Sequence, residues 1–339
     1  MNIRNKNILF FSPSFFGYEK AIKRKLEEYG AYVDFYDDRP MNGFWTKAFI
    51  RVNKRILFYQ INKYYNTILS HLELHKYDYV FVLNAEAMPV KFLRKIKGDN
   101  SNAVFVLYMW DSFLNRKNTC DYLEFFDYIF SFDKNDCIRH PKIHFRPLFY
   151  MTEYADIVGH HNYKYDFCFI GTAHSDRFAL IKKLQKMITQ LGQTSYWFLY
   201  LQSKKLFFWN KLTNSNFREA KIKDFNYTSL TKDEILNKIA ESRIVIDIHH
   251  PNQLGLTMRV LEMLGAQKKI ITTNASVKEY DFYLPDNICV IDRLHPQLDK
   301  SFMICEYVPL SQQIYHKYSI DGWLEEIFQI VTRKNVCKK

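Results

Sequence analysis

One stretch of the sequence, residues 245–274, carries side chains that could bind an anion, or could simply be the joints of an α/β fold, within the pattern of a strand, a loop and a helix. It reads VIDIHHPNQLGLTMRVLEMLGAQKKIITTN, and the helix is predicted to begin near Gly255 and Leu256. Free backbone N–H groups at a helix N-terminus favour an anion, so we expect Gly255, Leu256 and Thr257 to donate to a diphosphate. Arg259, about one turn further along, would add a fixed charge and paired donors.

A carboxylate on the same predicted helix points to a second part of the ligand. Glu262 follows Arg259 by three residues, so the two side chains share one face of the helix. The carboxylate could accept both hydroxyls of a ribose, or the two residues could form a surface ion pair. Three polar residues at the same predicted sheet edge favour a ligand site: His249, Gln253 and Thr257.

A second strand-to-helix junction, FIGTAHSDR at residues 169–177, has related features. Gly171 follows the predicted strand directly, so a ligand could approach the backbone there. Thr172 and Ser175 offer hydroxyls, and Arg177 lies in the first turn of the next helix. The stretch lacks the glycine spacing of GxGxxG and of the P-loop, and a plain strand-to-helix turn would also contain these residues.

Two carboxylates in the first half of the chain follow predicted strands, Glu86 in LNAEAM and Asp111 in YMWDSF. Either could serve as a general base that takes a proton from an acceptor hydroxyl. Trp110 stands next to Asp111, and an aromatic platform beside a carboxylate is typical of sugar-binding sites. Asp111 could instead cap the N-terminus of a following helix.

The histidines and cysteines do not form a metal-binding pattern. His249 and His250 are adjacent and leave a strand in opposite directions, while His160 and His161 lack a partner motif. The six cysteines are dispersed, without a CxxC pair, as expected of buried thiols in a reducing cytosol. We therefore predict no metal site and no cofactor.

The elements that position these residues are short apolar runs separated by helix-length connections, the pattern of parallel sheets covered on both faces. Ligands bind such sheets at the carboxyl ends of the strands. A chain of 339 residues is longer than one hydrophobic core usually organises, and the alternation of strands and helices starts again after a polar stretch. The sequence predicts an α/β protein with two Rossmann-like, doubly wound parallel-sheet domains facing across a cleft. We place them at residues 1–150 and 165–310, with a linker at 151–164 and a C-terminal helical segment at 311–339 that packs back on the first domain.

The formal net charge of +12 suggests an anionic partner. Residues 44–65 combine aromatic and basic side chains at helical spacing, either as a core helix with a solvated basic face or as a surface for anionic lipid. No window contains the roughly 18 apolar residues of a membrane span, and the N-terminus does not have the pattern of a signal peptide. The expected location is the cytoplasm, at the inner face of the membrane. The dispersed charge lacks a nucleic-acid-binding signature, so nucleic acid is not an expected partner.

Two Rossmann-like halves with a glutamate-bearing helix in the second resemble the GT-B glycosyltransferases. RVLEMLGAQKKIITTN is similar to the xxLEAMAxGxPVIAT block of that group. DFCFIGT, followed by a helix containing Arg177, and YMWDS resemble the CgeB-like and capsular-polysaccharide branches. The resemblance implies a nucleotide-sugar donor on the second domain, with its ribose on Glu262, and an acceptor on the first. It also implies that helix N-termini and basic side chains, rather than a metal, stabilise the leaving diphosphate.

The chain departs from the GT-B pattern at one position. Many retaining members carry a glutamate eight residues before the ribose glutamate, and this sequence has Leu254 there. We therefore prefer an inverting mechanism with Asp111 or Glu86 as base.

The predicted function is transfer of a sugar from a nucleotide sugar to a lipid-linked bacterial surface glycan of a capsule, lipopolysaccharide or exopolysaccharide. Two alternatives are a nucleotide-sugar epimerase of the same fold and a basic nucleic-acid-binding protein.

Overall fold

The computed structural model describes residues 1–40, 58–72, 75–114, 117–159, 162–251 and 255–336. The chain forms two compact units. The first comprises Met1–Leu148 together with the C-terminal segment from Ile320, and the second comprises Phe149–Ser319. Residues 311–319 therefore belong to the second unit, while the helix that follows belongs to the first.

The first unit is built on a six-stranded sheet in the order β2-β1-β3-β4-β5-β6, with every neighbouring pair parallel. Its central strands consist almost entirely of buried apolar residues, because helices cover both faces. The strands are β1 (Asn7–Ser12), β2 (Tyr32–Asp37), β3 (Tyr79–Leu83), β4 (Val104–Met109), β5 (Tyr128–Ser131) and β6 (Ile143–Phe145).

The helices of the first unit include one from the far end of the chain. This C-terminal helix inserts the fully buried Trp323, whose ring centroid lies 4.7 Å from that of Tyr108 and 6.1 Å from that of Phe81. The helices are α1 (Tyr18–Glu28), α2 (Phe58–Leu72), α3 (Val90–Asp99), a 3-10 helix (Lys117–Phe125), α4 (Lys134–Arg139) and the C-terminal α12 (Ile320–Val336).

The second unit contains a five-stranded parallel sheet in the order β11-β10-β9-β7-β8. Its strands are β7 (Tyr165–Thr172), β8 (Ser195–Tyr200), β9 (Ser242–Asp247), β10 (Lys269–Thr272) and β11 (Ile288–Val290). Its α-helices are α5 (Thr152–Ala155), α6 (Arg177–Gln190), α7 (Lys204–Thr213), α8 (Lys232–Ala240), α9 (Met258–Gly265), α10 (Lys300–Ile304) and α11 (Gln312–Lys317).

Two local expectations need correction. The stretch expected to be a linker, 151–164, contains α5, and its Tyr154 is buried. The helix expected near Gly255 begins at Met258, after the extended residue Thr257. The predicted α/β class, with two parallel sheets flanked by helices, is confirmed.

Candidate active site

Arg177 joins the carboxyl ends of two neighbouring strands in the second unit. Its Nε donates to the carbonyl of Ile248, just after β9, at 2.6 Å, and its Nη1 donates to the carbonyl of Thr172, at the end of β7, at 3.1 Å. Gly171 makes room for this crossing, because a Cβ there would lie 2.9 Å from the Phe169 ring and 3.4 Å from Arg177 Nη1. Burial lowers the pKa of Arg177, but a guanidinium stays charged at any physiological pH.

A second arginine, which was not among the predicted site residues, lies at the same edge of the sheet. Arg293, in the loop after β11, donates through Nε and Nη2 to both carboxylate oxygens of Asp176, at 2.6 and 2.7 Å. Its Nη2 also donates to the carbonyl of His249 at 3.0 Å. The one signal for it was its position after the predicted strand NICVID. Two guanidinium groups therefore lie at the carboxyl ends of the strands in the second sheet, a region called its strand edge below.

Two nearby histidines, His249 and His174, are neutral at physiological pH. His249 Nδ1 lies 2.7 Å from Thr273 Oγ1, and burial together with Arg293 and Arg177 lowers its pKa to about 4. Burial and Arg177 lower the pKa of His174 to about 4 as well, and its ring centroid lies 5.4 Å from that of His250. The positive charge at this edge thus comes from the arginines, while neutral imidazoles can donate or accept hydrogen bonds.

Asp247 explains where α9 begins. This buried carboxylate at the end of β9 accepts the hydroxyl of Thr257 at 3.0 Å and that of Thr272 at 3.1 Å. Thr257 is held in the loop, and the first-turn amides of α9 belong to Met258 and Arg259. The expectation that the helix begins at Gly255 and Leu256 is therefore wrong, and Leu256 is almost fully buried.

Glu262 and Arg259 form a largely buried ion pair. Arg259 Nη1 lies 3.1 Å from Glu262 Oε2, and the two side chains are 19% and 7% exposed, respectively. Tyr154 of α5 packs here, and burial together with the Glu262 carboxylate raises the pKa of its hydroxyl. The pair is thus an oriented, desolvated feature of α9 rather than a solvated surface pair.

Glu86 lies at the strand edge of the first unit on a constrained turn. Asn84 and Ala85 have φ angles of 66° and 48°, in the left-handed region, and the Glu86 and Ala87 amides donate to Asp38 Oδ2 at 2.6 and 2.9 Å. Burial raises the pKa of Asp38 to about 6. The Glu86 side chain is 6% exposed. The turn thus fixes Glu86 with little access to solvent.

Asp111 lies close along the same edge and is partly exposed. The preceding amide, of Trp110, donates to Asn84 Oδ1 at 3.0 Å and so ties the Asp111 segment to the Glu86 turn. The described residues directly after Asp111, through Leu114, form a turn rather than the first turn of a helix. The Phe15 ring centroid lies 6.2 Å from that of Trp110.

The structure thus assembles the predicted residues into groups. Arg177, Gly171, Thr172 and His249 share one edge of the second sheet, while Glu86 and Asp111 share an edge of the first. Some predicted features lie outside the described residues: Gln253, Leu254, His160, His161 and positions 44–57 of the basic segment.

Two further properties concern the described part of the chain. Within it, no group of three or more His, Cys, Asp or Glu side chains could hold a metal ion. Among its helices, none is both long and apolar enough to cross a membrane.

No protein-family model and no curated protein matches this sequence. Solved structures do resemble the chain. Anabaena Alr3699/HepE, in complex with UDP and glucose, has a TM-score of 0.61 at 12% identity, covering 97% of this chain and 100% of that one. The α,α-trehalose 6-phosphate synthase from Burkholderia multivorans has a TM-score of 0.60 at 8% identity, covering 99% of each chain. The chain has the GT-B fold. The Methanocaldococcus jannaschii UDP-GlcNAc 2-epimerase has a TM-score of 0.52 at 13% identity, covering 96% of this chain and 99% of that one. At these identities the GT-B likeness is one of fold, and it agrees with the resemblance seen in the sequence.

Proposed function

We propose that this GT-B protein is a glycosyltransferase that binds a nucleotide-sugar donor at the strand edge of its second unit. The observation that carries the proposal is the pair of guanidinium groups of Arg177 and Arg293, fixed by hydrogen bonds at that edge. Two guanidinium groups in set positions suit a diphosphate, because each carries a positive charge and has N–H groups beyond those bonded to the protein. The amides of the first turn of α9 would add further donors.

The donor's ribose would be recognised by Glu262. Arg259 holds this carboxylate in one orientation on α9, within a largely buried setting where a hydrogen bond is worth more than in water. A ribose that enters would share or replace the Arg259 contact. Gly171 and Thr172 would lie along the donor, since the glycine leaves the backbone open to close approach.

The chemical step needs a base on the first unit. Asp111 or Glu86 would take the proton of the acceptor hydroxyl as its oxygen bonds to the anomeric carbon and the bond from that carbon to the diphosphate breaks. We favour Asp111, because it is partly exposed whereas the Glu86 side chain is 6% exposed. Arg177 and Arg293 would stabilise the negative charge that develops on the leaving diphosphate, without a metal. Direct attack by the acceptor inverts the anomeric configuration.

The acceptor we propose is a lipid-linked bacterial surface glycan of a capsule, lipopolysaccharide or exopolysaccharide. Next to Trp110 the first unit exposes Phe15 and Phe16, aromatic rings that could pack on sugar faces. The basic segment 44–65 remains our proposed contact with an anionic membrane surface at the cytoplasmic face.

A nucleotide-sugar epimerase is the second candidate, because the Methanocaldococcus jannaschii 2-epimerase shares the fold. Incubation with nucleotide sugar alone separates the two reactions. An epimerase converts the donor without an acceptor, whereas a glycosyltransferase transfers its sugar only when an acceptor is added.

Thermal unfolding with nucleoside diphosphates and nucleotide sugars tests the proposal. A ligand specific for the folded protein raises the unfolding midpoint by mass action. We expect one nucleotide class to raise it, and Arg177→Ala to abolish the effect. The matched control is Arg218→Ala, an exposed arginine of the same unit, which should keep it. If no nucleotide raises the midpoint, the proposed function is wrong.

A further inference from the structure

Helix α7 exposes three large apolar side chains to solvent. Phe208, Trp209 and Leu212 are 55%, 64% and 85% exposed. At about 100° per residue they occupy an arc of roughly 100° on one side of the helix. On the other side, Phe207 is buried in the core of the second unit, 5.7 Å from Phe225 between ring centroids. Most of the apolar arc therefore lies outside the packing that holds α7 in place, although the Phe208 ring contacts that of Phe207 at 5.3 Å between centroids.

The same outward side carries positive charge. Lys204 and Lys205 are exposed in the first turn, and Ser203–Thr213 contains no acidic residue. The helix is already capped by Ser203, whose hydroxyl oxygen accepts from the Leu206 amide at 3.1 Å. Cations are unfavourable near a helix N-terminus, so these lysines do not serve helix stability. We call Lys204, Lys205, Phe208, Trp209 and Leu212 the α7 face.

We propose that the α7 face docks on the surface of an anionic lipid bilayer. Trp and Phe favour the boundary between headgroups and acyl chains, and Leu adds apolar area there. Lysines at the same level are attracted to anionic headgroups. An anionic bilayer can contact both the apolar side chains and the lysines of the α7 face. This face is separate from segment 44–65, and its docking does not depend on the proposed function.

A second copy of the chain fits the α7 face less well. A two-fold symmetric contact places the same patch against itself, so the lysines of one copy would meet those of the other. With no carboxylate in Ser203–Thr213, that repulsion would have no local compensation. Lysine is also depleted from the cores of protein interfaces in general.

Hydrogen bonds tie α7 to the loop that carries Asp176 and Arg177. Asn214, which ends the helix, donates from Nδ2 to the Ser175 carbonyl at 3.2 Å. The Ala173 amide donates to the carbonyl of Tyr200, at the end of β8, at 2.8 Å. Docking through α7 would therefore hold this strand edge of the second unit close to the bilayer.

Vesicle co-sedimentation of the full chain tests the proposal, with vesicles of phosphatidylcholine alone and of phosphatidylcholine mixed with phosphatidylglycerol. We expect binding to the anionic vesicles that weakens as salt rises. Phe208→Ser with Trp209→Ser should lower partitioning at least about tenfold, because it removes most of the apolar area of the face. Lys204→Glu with Lys205→Glu should have a similar effect, on the order of tenfold.

Matched controls distinguish vesicle binding through the α7 face from non-specific hydrophobic or electrostatic binding. Leu294→Ser with Ile304→Ser removes apolar residues of similar exposure elsewhere on the second unit, and Lys186→Glu reverses an exposed charge on α6. These variants should bind vesicles as the parent does. Lys204→Glu and Lys205→Glu make the N-terminus of α7 electrostatically more favourable, so the loss of binding that we expect from them is not explained by a weaker helix. Far-ultraviolet circular dichroism and the unfolding midpoint check folding without depending on nucleotide binding.

Three results would overturn the proposal. One is that the α7 variants bind vesicles as tightly as the parent does. Loss of vesicle binding in a Lys54→Glu and Arg55→Glu variant would then assign the membrane contact to segment 44–65. Another is equal binding to neutral and anionic vesicles. The third is a dimer in light scattering that the Phe208→Ser and Trp209→Ser variant abolishes, which would assign the face to self-association.

Discussion

Replacement of Arg293 by Ala should weaken nucleoside diphosphate binding by about thirtyfold. The Arg293 side chain is 17% exposed, and its guanidinium is held by two bonds to Asp176 and one to the His249 carbonyl. A hydrogen bond to a charged group contributes about 2 kcal/mol, which corresponds to about thirtyfold in affinity. Isothermal calorimetry with the nucleotide that raises the unfolding midpoint most would measure the change.

A double variant separates ligand contact from architecture. Arg293→Ala alone leaves the Asp176 carboxylate without its guanidinium, and the free energy of unfolding should fall by about 2 kcal/mol. Asp176→Ala with Arg293→Ala removes that unpaired charge, so it should recover part of the stability but none of the affinity. Arg293→Lys keeps the charge but loses the planar fork, and should bind with intermediate affinity.

The reasoning would be refuted if Arg293→Ala bound nucleotide as tightly as the exposed-site control Arg218→Ala. Recovery of affinity in the double variant would be equally damaging, because it would show that Arg293 acts only by neutralising Asp176. In either case the diphosphate would have to lie away from the loop after β11.

The remaining predictions concern four other positions. Glu262→Ala should weaken nucleotide binding in calorimetry, and unchanged affinity would remove the ribose assignment. Gly171→Ala should lower the unfolding midpoint, because its Cβ would lie 2.9 Å from the Phe169 ring; an unchanged midpoint would show that the ring moves at no cost. His249 has its pKa lowered from 6.5 to about 4, so the unfolded state binds the proton first and stability falls as pH drops from 7 towards 4. Measured by urea unfolding, the free energy of unfolding should fall less between pH 7 and pH 4 in His249→Asn than in the parent. An identical pH profile in the two proteins would contradict this prediction. Asp38→Asn should loosen the turn before Glu86, since an amide accepts less well from two N–H groups; hydrogen exchange faster than in the parent at residues 86 and 87 would show it, and unchanged protection would count against it.

Local pattern made much of the fold predictable. Runs such as YVFVL in β3 and IVI in β9 are apolar without alternation, and only a strand covered on both faces tolerates that. The short β6 was not predicted, because IHF is too brief to give a pattern. The start of α9 was predicted three residues early, because the sequence could not show that the Thr257 hydroxyl is bound by Asp247.

The sequence by itself determined which residues follow the ends of strands, and so placed Arg177, His249 and Asp111 at sheet edges. That information is local, since strand, loop and helix are encoded by neighbouring residues. Only the tertiary structure decided which edges are neighbours. Strand β9 lies beside β7, so Arg177 reaches Ile248, 71 positions along the chain. Arg293 reaches Asp176 across 117 positions, a contact set by strand order and loop path that no local pattern specifies.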